Sequence, residues 1–415
     1  MSEWKKVKLG DVCQIIDGDR GKNYPKNHEF FESGYCLFLN TGNVTKEGFS
    51  FANNQFITKE KDELLRKGKI QRGDLILTTR GTVGNIAYYT NHIKYENVRI
   101  NSGMVILRVN KENVDASFLY QLVRSKESRT YINSFCTGSA QPQLPIKNLS
   151  QICFEIPSLS TQHRIATILS RYDSLIENYQ KQIKLLEEAA QRLYKEWFID
   201  LHFPGHENTK IVDGVPEGWE KKTIDDVTCK VTTGLNPRKN FVLGKGSNYY
   251  VTIKNMADNT LFLDDRCDRV DNEALEKINK RSDLKIGDIL FSGIGTIGRV
   301  ALVDIPTNNW NVSESVFTLR VNDIVTKEFL YLMLLSPDMQ NYCQSNAHGA
   351  AQKGIRMADL KAYSFNLPPF GVIQKFTNLV TPTIKKVSSI RNQIRLLTEA
   401  RDRLLPKLMG GEIEV

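Results

Sequence analysis

The sequence lacks the cysteine pattern of a disulfide-stabilised or zinc-binding protein. Its 415 residues contain seven cysteines, an odd number that is scattered along the chain without a CxxC pair. Disulfide frameworks use paired cysteines, and structural zinc sites use closely spaced ones. We therefore interpret the cysteines as reduced residues that fill the interior, and the sequence predicts no metal site.

Long apolar runs are missing as well. No stretch of eighteen apolar residues is present, and the opening MSEWKKVKLGDV has no apolar segment behind its lysines. A membrane-spanning helix needs about 20 predominantly apolar residues, and a secretory signal peptide needs an apolar core. The sequence therefore favours a cytoplasmic protein without a membrane partner.

The motifs of common catalytic and cofactor sites are incomplete. LGKGS at 243–247 lacks the first glycine of a phosphate-binding loop, and neither GTVG at 81–84 nor GTIG at 295–298 completes GxGxxG. NLPPF at 366–370 has a leucine inside the Asn-Pro-Pro-aromatic motif of adenine methyltransferases. An acidic nuclease cluster with a paired lysine is also missing. The sequence thus predicts a chain that is not an enzyme by itself and holds no cofactor.

Positive charge is in excess. The chain has 56 Lys and Arg against 47 Asp and Glu, a formal net charge of +9. Lysine and arginine gain free energy by displacing counterions from phosphates. This balance favours a polyanionic partner.

The strongest signal is an internal repeat. GDLILTTRGTVG at 73–84 recurs as GDILFSGIGTIG at 287–298, 214 residues later. Further matches keep the same order with nearly the same offset: LRVN at 107–110 with 319–322, FLY at 118–120 with 329–331, and GSAQ at 138–141 with GAAQ at 349–352. Such a series indicates a tandem duplication of about 200 residues.

Each copy begins with a part that is rich in predicted strands. VILRVN at 105–110 and VFTLRVN at 316–322 have the β-branched and apolar residues of strands, and a helical pattern follows the first of them. The predicted fold class is a mixture of α and β elements in two repeated globules. Arg108 and Arg320 lie inside these strands, so we interpret them as scaffold residues.

The second part of each copy carries apolar residues every three or four positions, as in a coiled coil. The first seam comprises Ile165, Ile168, Tyr172, Leu175, Tyr179, Ile183, Leu186 and Leu193, and the second Val387, Ile390, Ile394, Leu397 and Leu404. A helix of some 40 residues is roughly 60 Å long, more than a globule is wide. We expect the two helices to cover each other's seams; the alternative is that each packs on its own globule.

The domain plan follows from these patterns. It comprises a globule at 1–159, a helix at 160–203, a linker at 204–218, a second globule at 219–370, a helix at 371–409 and a tail at 410–415. Pro382 predicts that the regular part of the second helix begins or kinks there. Residues 1–203 contain one complete repeat, so two such fragments are expected to cover each other's seams through a two-fold axis.

Several segments together resemble the specificity subunit of type I restriction-modification enzymes, over essentially the whole chain. They are PSLSTQHRI at 157–165, LYKEWFIDLHFPG at 193–205, VPEGWE at 215–220 and RDRLLPKLMGGEI at 401–413. Two departures stand out. PPFGVIQKF at 368–376 has no glutamine matching Gln162, and Gly410 replaces a frequent serine.

The resemblance implies a DNA-recognition and scaffolding subunit without catalytic activity of its own. Each globule would be a target-recognition domain, and the helices would pair as an antiparallel coiled coil that forms the spacer between them. The expected partners are double-stranded DNA, two methyltransferase subunits that carry S-adenosylmethionine, and motor-nuclease subunits that use ATP and magnesium. We expect a bipartite, asymmetric site, because DGDRGKNYPKN at 17–27 has become TTGLNPRKN at 232–240 and TTRGT at 78–82 has become SGIGT at 292–296.

The predicted DNA contacts are polar side chains in loop-like stretches, of the types that reach phosphates and base edges. They are Arg20, Lys22, Lys26, Asn43, Arg80, Thr82 and Gln141 in the first copy, and Arg238, Lys239, Lys254, Asn255, Thr296 and Gln352 in the second. Two other functions stay open: a specificity chain for another restriction type, with a fused or partner nuclease-methylase, and a coiled-coil adaptor that binds no DNA. A co-purifying partner would identify the first, and the lack of salt-dependent DNA binding would identify the second.

Overall fold

The computed structural model describes residues 4–138, 141–349 and 353–415, which form two units. Unit 1 comprises residues 1–178 and 395–415, and unit 2 comprises residues 179–394. The units therefore do not coincide with the two copies of the repeat. The reason is that each of the two longest helices gives one part to each unit.

Unit 1 begins with short strands and helices in alternation. In chain order these are β1 (Lys5–Lys8), α1 (Leu9–Val12), β2 (Cys13–Asp17), β3 (Cys36–Leu39), β4 (Val44–Thr45), β5 (Gly48–Phe49), β6 (Phe56–Ile57), α2 (Lys59–Leu64), β7 (Leu75–Thr78), β8 (Ile86–Tyr88), β9 (Val98–Ile100), β10 (Met104–Val109), α3 (Ala116–Arg124), α4 (Lys126–Asn133), α5 (Ile146–Gln151) and β11 (Cys153–Ile156). The long helix α6 (Leu159–Phe198) starts in this unit.

The centre of unit 1 is a four-stranded antiparallel sheet in the order β2-β10-β7-β8. Alternate residues of β7 enter different apolar clusters: Leu75 and Leu77 face one cluster, and Ile76 faces the other. Because successive side chains of a strand point to opposite faces, this sheet is covered on both sides. That double burial explains the continuous apolar runs in β7 and β10.

Unit 2 contains the remaining elements. In chain order these are β12 (Ile211–Val212), β13 (Val215–Pro216), β14 (Glu220–Thr223), β15 (Thr228–Thr233), α7 (Pro237–Asn240), β16 (Asn248–Val251), β17 (Asp268–Val270), α8 (Asn272–Ser282), β18 (Ile289–Ser292), β19 (Val300–Leu302), β20 (Trp310–Val312), β21 (Val316–Val321), α9 (Lys327–Leu334), α10 (Pro337–Ser345), α11 (Met357–Lys361), β22 (Ser364–Leu367) and the start of the long helix α12 (Phe370–Met409).

The sheet topology repeats from one unit to the other. The order β2-β10-β7-β8 in unit 1 is matched by β15-β21-β18-β19 in unit 2, and β6-β3-β9 is matched by β17-β16-β20. Even the parallel pairing of β3 with β9 recurs between β16 and β20. The structure thus confirms two repeated globules of mixed α and β elements.

The repeated Gly-Asp pair holds the sheet together in both copies. Arg108 donates two hydrogen bonds to Asp74, from Nε at 2.9 Å and from Nη2 at 2.8 Å. Arg320 makes the same two bonds to Asp288, at 2.7 and 2.8 Å. Both carboxylates also accept a backbone N–H three residues earlier in the chain. The two arginines are therefore scaffold residues, in keeping with their predicted positions inside strands.

The repeated glycines form the hairpin that follows. Gly81 and Gly295 adopt φ of +72° and +81°, a conformation that favours glycine. In each copy a hydroxyl closes the turn: Thr78 Oγ1 donates to the Thr82 carbonyl, and Ser292 Oγ donates to the Thr296 carbonyl. The duplicated sequence stretch is thus one duplicated hairpin.

The helices α6 and α12 pack together in antiparallel orientation. In unit 1, Ile165 and Leu169 of α6 share an apolar core with Leu405 and Leu408 of α12. In unit 2, the later residues of α6, such as Trp197, pack on the early residues of α12, with Trp197 and Phe376 ring centroids 5.7 Å apart. This confirms the predicted antiparallel pair. Because both cores also contain the adjoining globule, packing on a globule accompanies the pairing instead of replacing it.

The predicted seam agrees with the buried stripe only in part. Ile165, Val387 and Ile390 are buried, whereas Leu175 is 38% exposed and its neighbour Ile176 is 8% exposed. The buried stripe of α6 is therefore displaced by one residue at this point. The other predicted seam residues are half-buried: Ile168, Tyr172, Tyr179, Ile183, Leu186, Leu193, Ile394, Leu397 and Leu404.

Helix boundaries and the linker differ from the prediction. α6 ends at Phe198, before the expected 203, because Leu201 adopts a left-handed φ of 62° and the His202 N–H turns back to the Glu196 carbonyl. The segment predicted as a linker, 204–218, contains the short β12–β13 hairpin, whose turn has positive φ at Asp213 and Gly214.

The proline of α12 does not start the helix. α12 begins at Phe370, well before Pro382, and continues to Met409. A proline inside a helix costs about 3 kcal/mol. Ile373, Phe376 and Val380 are buried in the turns before it. Their burial, worth roughly 1.5–3 kcal/mol each, outweighs that cost.

Candidate nucleic-acid interface

Several loops of unit 1 meet at one edge of the four-stranded sheet. Asp17 at the end of β2 pairs with Val105, and Thr78 at the end of β7 pairs with Met104 at the start of β10. The segments that leave these strands therefore lie side by side. We call them the edge loops of unit 1, and they comprise residues 18–27, 40–43, 79–84 and 101–103.

Glycines allow the edge loops of unit 1 to approach closely. A Cβ atom on Gly18 would lie 2.2 Å from the Asn101 carbonyl oxygen, and one on Gly103 would lie 2.7 Å from Cγ2 of Thr41. The backbone N–H of Arg80 donates to the Gly103 carbonyl at 3.2 Å. The loops are thus held against one another by backbone contacts, which leaves side chains available for other interactions.

Basic and polar side chains project from this edge. Arg20 is exposed, although its guanidinium donates to Asp17 at 3.3 Å and to the Ser102 carbonyl at 3.2 Å. Arg80 is half-buried and pairs in a β-bridge with Gln143, which brings the segment of Gln141 beside it. The structure therefore brings the first-copy predictions at these positions together. Other predicted residues of this copy are exposed on the same loops: Lys22, Lys26 and Thr82.

A buried carboxylate shapes the Arg20 loop. Asp19 accepts the backbone N–H of Gly21 at 2.7 Å and that of Arg66 at 2.8 Å. Burial of the carboxyl opposes its ionisation, but these two donors and the Arg66 guanidinium outweigh it and lower the pKa of Asp19 to about 2. Asp19 is therefore ionised at neutral pH and fixes the loop that carries Arg20 and Lys22.

Unit 2 has corresponding edge loops at residues 234–240, 252–256, 293–298 and 313–315. Their backbone contacts repeat those of unit 1. A Cβ atom on Gly234 would lie 1.6 Å from the Val312 carbonyl oxygen, and the Gly293 N–H donates to the Ser315 carbonyl at 2.9 Å. The β-bridge of Arg80 with Gln143 recurs between Ile294 and Gly354. The two edges share one backbone design.

The side chains at the unit 2 edge differ in charge. Asn236 donates from Nδ2 to Glu314 Oε1 at 2.8 Å, and the Tyr250 hydroxyl donates to Glu314 Oε2 at 3.1 Å. Burial and then the Glu314 carboxylate raise the pKa of the Tyr250 hydroxyl, so the hydroxyl stays protonated. Arg238 and Lys239 follow on α7 and are exposed.

Matching the two edges by their contacts pairs Arg20 with Asn236, Ser102 with Glu314, and Arg80 with Ile294. Each member of a pair occupies the same place relative to the close glycine contact or the β-bridge. Two arginines at one edge are thus replaced by an amide and an isoleucine at the other, and a carboxylate is added. Lys254 and Thr296 are exposed on the remaining unit 2 loops.

Asn43 and Asn255 differ from the other predicted contacts because both are buried. Asn43 Oδ1 accepts the Asn40 N–H at 2.9 Å, and Asn255 Oδ1 accepts the Thr252 N–H at 2.9 Å. The Asn43 amide also donates to the carbonyls of Ser50 and Asn53. Both side chains brace the same turn in their own copy and are turned away from solvent. Gln352 lies outside the described residues.

Sequence reasoning missed Glu314, Tyr250 and Asp19 at these edges. Glu314 could have been found, since it stands where the first copy has Ser102 between two well-matched segments. Asp19 and Tyr250 gave no such signal, because their roles depend on partners that are 47 and 64 residues away in sequence.

The described residues contain neither an arrangement typical of a metal site nor a helix suited to cross a membrane. Within residues 4–138, 141–349 and 353–415, no group of three or more His, Cys, Asp and Glu side chains is arranged to hold a metal ion. In the same part of the chain, no helix combines the length and the apolar character that crossing a bilayer requires.

Comparison with known proteins gives one consistent family. The model of the type I restriction modification DNA specificity domain matches residues 1–188 and again residues 216–394. The specificity subunit of the type I restriction enzyme MjaIX from Methanocaldococcus jannaschii is 29% identical over 83% of this chain and 78% of its own length. The HindI specificity subunit from Haemophilus influenzae is 24% identical, with both chains fully covered.

The fold has a solved counterpart. The S subunit of the type I restriction-modification system from M. genitalium superposes with a TM-score of 0.60 at 17% identity, covering 98% of this chain and 96% of that one. The family model confirms the resemblance noted in the sequence, and the solved structure shows the same fold. Since two copies of the family's domain occupy most of its length, the chain belongs to the type I restriction-modification DNA specificity family, whose members are the DNA-recognition and assembly subunits of these systems.

Proposed function

We propose that the chain reads a bipartite, asymmetric DNA site, one half with the edge loops of unit 1 and the other half with those of unit 2. The observation that carries this proposal is the pairing of a shared backbone frame with different side chains at the two edges. An edge with Arg20 and Arg80 donates hydrogen bonds, whereas Glu314 accepts them. Since guanine offers acceptors and cytosine offers a donor in the major groove, the two edges would prefer different bases.

Two sets of edge loops are needed because one set alone distinguishes too few base pairs to select a rare DNA sequence. A good base-edge contact supplies about 1–3 kcal/mol of discrimination, and a small loop cluster makes only a few of them. Joining two clusters in one chain multiplies their selectivity. In this scheme the antiparallel pair of α6 and α12 is the spacer that fixes the distance between the half-sites.

The proposed contacts are the exposed or half-buried polar residues of the edge loops. They are Arg20, Lys22, Lys26, Arg80, Thr82 and Gln141 in unit 1, and Arg238, Lys239, Lys254 and Thr296 in unit 2. Gln352 remains a proposed contact on sequence grounds. We assign Asn43 and Asn255 to holding the loops in shape, because both are buried and their side-chain oxygens accept backbone hydrogen bonds inside the turns.

Chemistry belongs to partner subunits in this proposal. Two methyltransferase subunits with S-adenosylmethionine would modify adenines at the site, and motor-nuclease subunits would cleave with ATP and magnesium, all in the cytoplasm. This chain would bind the DNA and position these subunits without catalysing a reaction. A chain that serves another restriction type would read DNA in the same way but purify with a different nuclease-methylase.

The test is methylated-adenine mapping across the genome of a host that carries the complete system. Arg80→Ala should relax one position of one half-site and leave the other half-site unchanged. Lys111→Ala is the matched control, because Lys111 is exposed beyond the far end of β10 and should not alter the site. A variant that changes both half-sites, or neither, would contradict the assignment of Arg80 to one reader.

A further inference from the structure

Ion pairs join α6 to α12 inside each unit. In unit 1, Arg401 Nη1 of α12 lies 2.7 Å from Asp173 Oδ1 of α6. In unit 2, Arg391 Nη2 of α12 hydrogen-bonds to Glu187 Oε1 of α6. The apolar pattern of the sequence does not reveal these four residues, because they are charged positions inside the packed stripe.

These charges are shielded from water and tied to the surrounding globules. Their side chains are 14 to 36% exposed. Asp173 also accepts hydrogen bonds from Gln121 Nε2 at 2.6 Å and Arg124 Nη1 at 2.9 Å, and Arg391 donates to the Asn259 carbonyl at 3.0 Å. Shielded charges lose solvation, so the removal of a partner destabilises more than it would on an open surface.

The charges break the symmetry of the repeat. α6 and α12 each have 40 residues, and each position of α6 corresponds to the position 211 residues later in α12. By this correspondence, Arg401 matches Ala190, and Arg391 matches Gln180. The acids of these pairs lie on α6 and the arginines lie on α12, although both helices descend from one ancestral segment.

Pairs of identical helices would therefore be mismatched. In an antiparallel pair of two α6 helices, Asp173 would face Ala190 and Glu187 would face Gln180. In a pair of two α12 helices, Arg401 would face Ile384 and Arg391 would face Thr398. Each mismatch occurs twice, because the contact is symmetric. The apolar stripe alone permits these pairs, but the charges oppose them.

The total charge of the helices acts in the same direction. α12 carries eight Lys and Arg against two Asp and Glu, so two α12 helices repel each other. α6 carries six against five and is nearly neutral. The mixed pair avoids that repulsion and gains the ion pairs.

We propose that Asp173, Glu187, Arg391 and Arg401 select the helix partner, so that α6 pairs with α12 and rejects a second α6. This amends the expected self-association of residues 1–203, because that fragment keeps the acids and loses the arginines. A second consequence concerns mixed populations of related chains. A helix with the wrong charges is excluded from the spacer even when its apolar stripe fits. Selectivity then comes from the free-energy penalty on wrong partners rather than from extra attraction to the right one.

Two reversed full-length chains test the proposal. The acid-reversed chain carries Asp173→Arg with Glu187→Arg, and the base-reversed chain carries Arg391→Glu with Arg401→Glu. Each alone should melt about 10 °C below the wild type, roughly 5 °C for each pair turned into a repulsion. The chain with all four substitutions should melt well above both double variants, because both helix–helix pairs return with exchanged signs. It should stay below the wild type, because Arg124 then faces a positive charge at position 173.

Partner choice is measured by co-expressing each chain with two different affinity tags. The acid-reversed and base-reversed chains should purify together, since α6 of each then finds opposite charges only on α12 of the other. Two differently tagged wild-type chains should co-purify at least ten-fold less. The control exchanges Lys184 and Glu188, an exposed pair within α6, and should change neither melting nor co-purification.

Clear outcomes would overturn the proposal. One is a four-fold variant whose melting temperature is no higher than the value obtained by adding the losses of the two double variants. The charges would then act independently. Another is equal co-purification of the reversed chains and the wild-type chains. If either double variant fails to fold, a folded four-fold variant supports the proposal, because it restores opposite charges, and a four-fold variant that also fails to fold overturns it.

Discussion

The edge loops of the two units share their backbone contacts but carry different side chains. Both have a glycine that passes close to a neighbouring backbone, a hydroxyl that closes the hairpin, and an aspartate bound by an arginine from the adjacent strand. Where unit 1 has Arg20 and Arg80, unit 2 has Asn236 and Ile294. The comparison separates the residues that make the frame from those that can vary on it. Under the proposed function, this separation would let DNA recognition change without a change of fold.

The largest expected effect falls on the shared frame. Asp74→Ala and Asp288→Ala each leave a strand arginine without its bidentate partner, and each should lower the free energy of unfolding by about 3 kcal/mol. Urea denaturation followed by hydrogen exchange of each unit measures both losses. Asp265→Ala is the control, because this aspartate is fully exposed. A lower free energy of unfolding in one unit alone would show that the Asp–Arg pair does not stabilise both units.

A smaller effect should distinguish the two hairpins. Gly84 and Gly298 have φ of +89° and +90°, so alanine costs about 1–2 kcal/mol at either position. An added Cβ at Gly298 lies 2.1 Å from Gln340 Oε1, whereas the nearest atom at Gly84 is 3.9 Å away. Gln340 donates to the Gly298 and Leu334 carbonyls, so its displacement should cost about 1 kcal/mol more.

A double variant tests whether Gln340 causes the extra cost of alanine at Gly298. Combining Gly298→Ala with Gln340→Ala should cost less than the sum of the two single changes, because the displaced amide is no longer there. Thermal or urea denaturation of the single and double variants provides the numbers. Strict additivity would mean that the hairpin accommodates the methyl group without moving Gln340.

DNA binding should respond to the loops unequally. Arg20→Ala removes a positive charge from the unit 1 edge, so the slope of log affinity against log salt should become shallower by about one unit. Asn236→Ala, at the matching place in unit 2, should leave the slope unchanged. Binding of the assembled methyltransferase complex to its mapped site measures both. Arg20→Lys should retain the wild-type slope, and equal slopes for the two alanine variants would remove the distinction.

The smallest expected effect is a pH dependence of the loop that carries Arg20 in unit 1. The pKa of Asp19 is lowered to about 2, below its ordinary value near 4. Its stabilisation of the loop is therefore complete above pH 4 and is lost as the pH falls through 2. Hydrogen exchange at residues 17–24 should therefore lose protection as the pH falls from 4 to 2. Asp19→Asn should remove this pH dependence, and an unchanged acid-induced loss of protection in that variant would contradict the prediction.

Sequence patterns predicted the parts of the molecule that depend on periodicity and repetition. The duplicated globules and the pairing of the two long helices could be inferred from spacing, and the antiparallel orientation followed from the family resemblance. Exact packing could not, since Leu175 and Ile176 are equally apolar and only the neighbouring core decides which one is buried. Asn43 resembled a DNA contact in sequence, and its bonds to Ser50 and Asn53 are visible only once the turn is folded.

The charged positions of the α6–α12 pair are a second feature that the local sequence pattern did not reveal. A search for apolar residues passes over Arg401, although it occupies a packed position between Leu397 and Leu404. Its pairing with Asp173 joins residues that are 228 positions apart. Long-range electrostatic partners leave no mark in a local pattern, whereas the comparison of the two copies, one with Ala190 and the other with Arg401, does mark the site.

The membership of residues 395–415 in unit 1 has a consequence for synthesis on the ribosome. Unit 2 is one uninterrupted stretch, 179–394, and can close as soon as it emerges, whereas Ile165 and Leu169 wait for Leu405 and Leu408. At ~5–20 residues per second, synthesis of the roughly 240 intervening residues takes about 12 to 48 s. The first globule to be translated is therefore the last to be completed, and during the interval its uncovered helix face is the part of the nascent chain most in need of a chaperone.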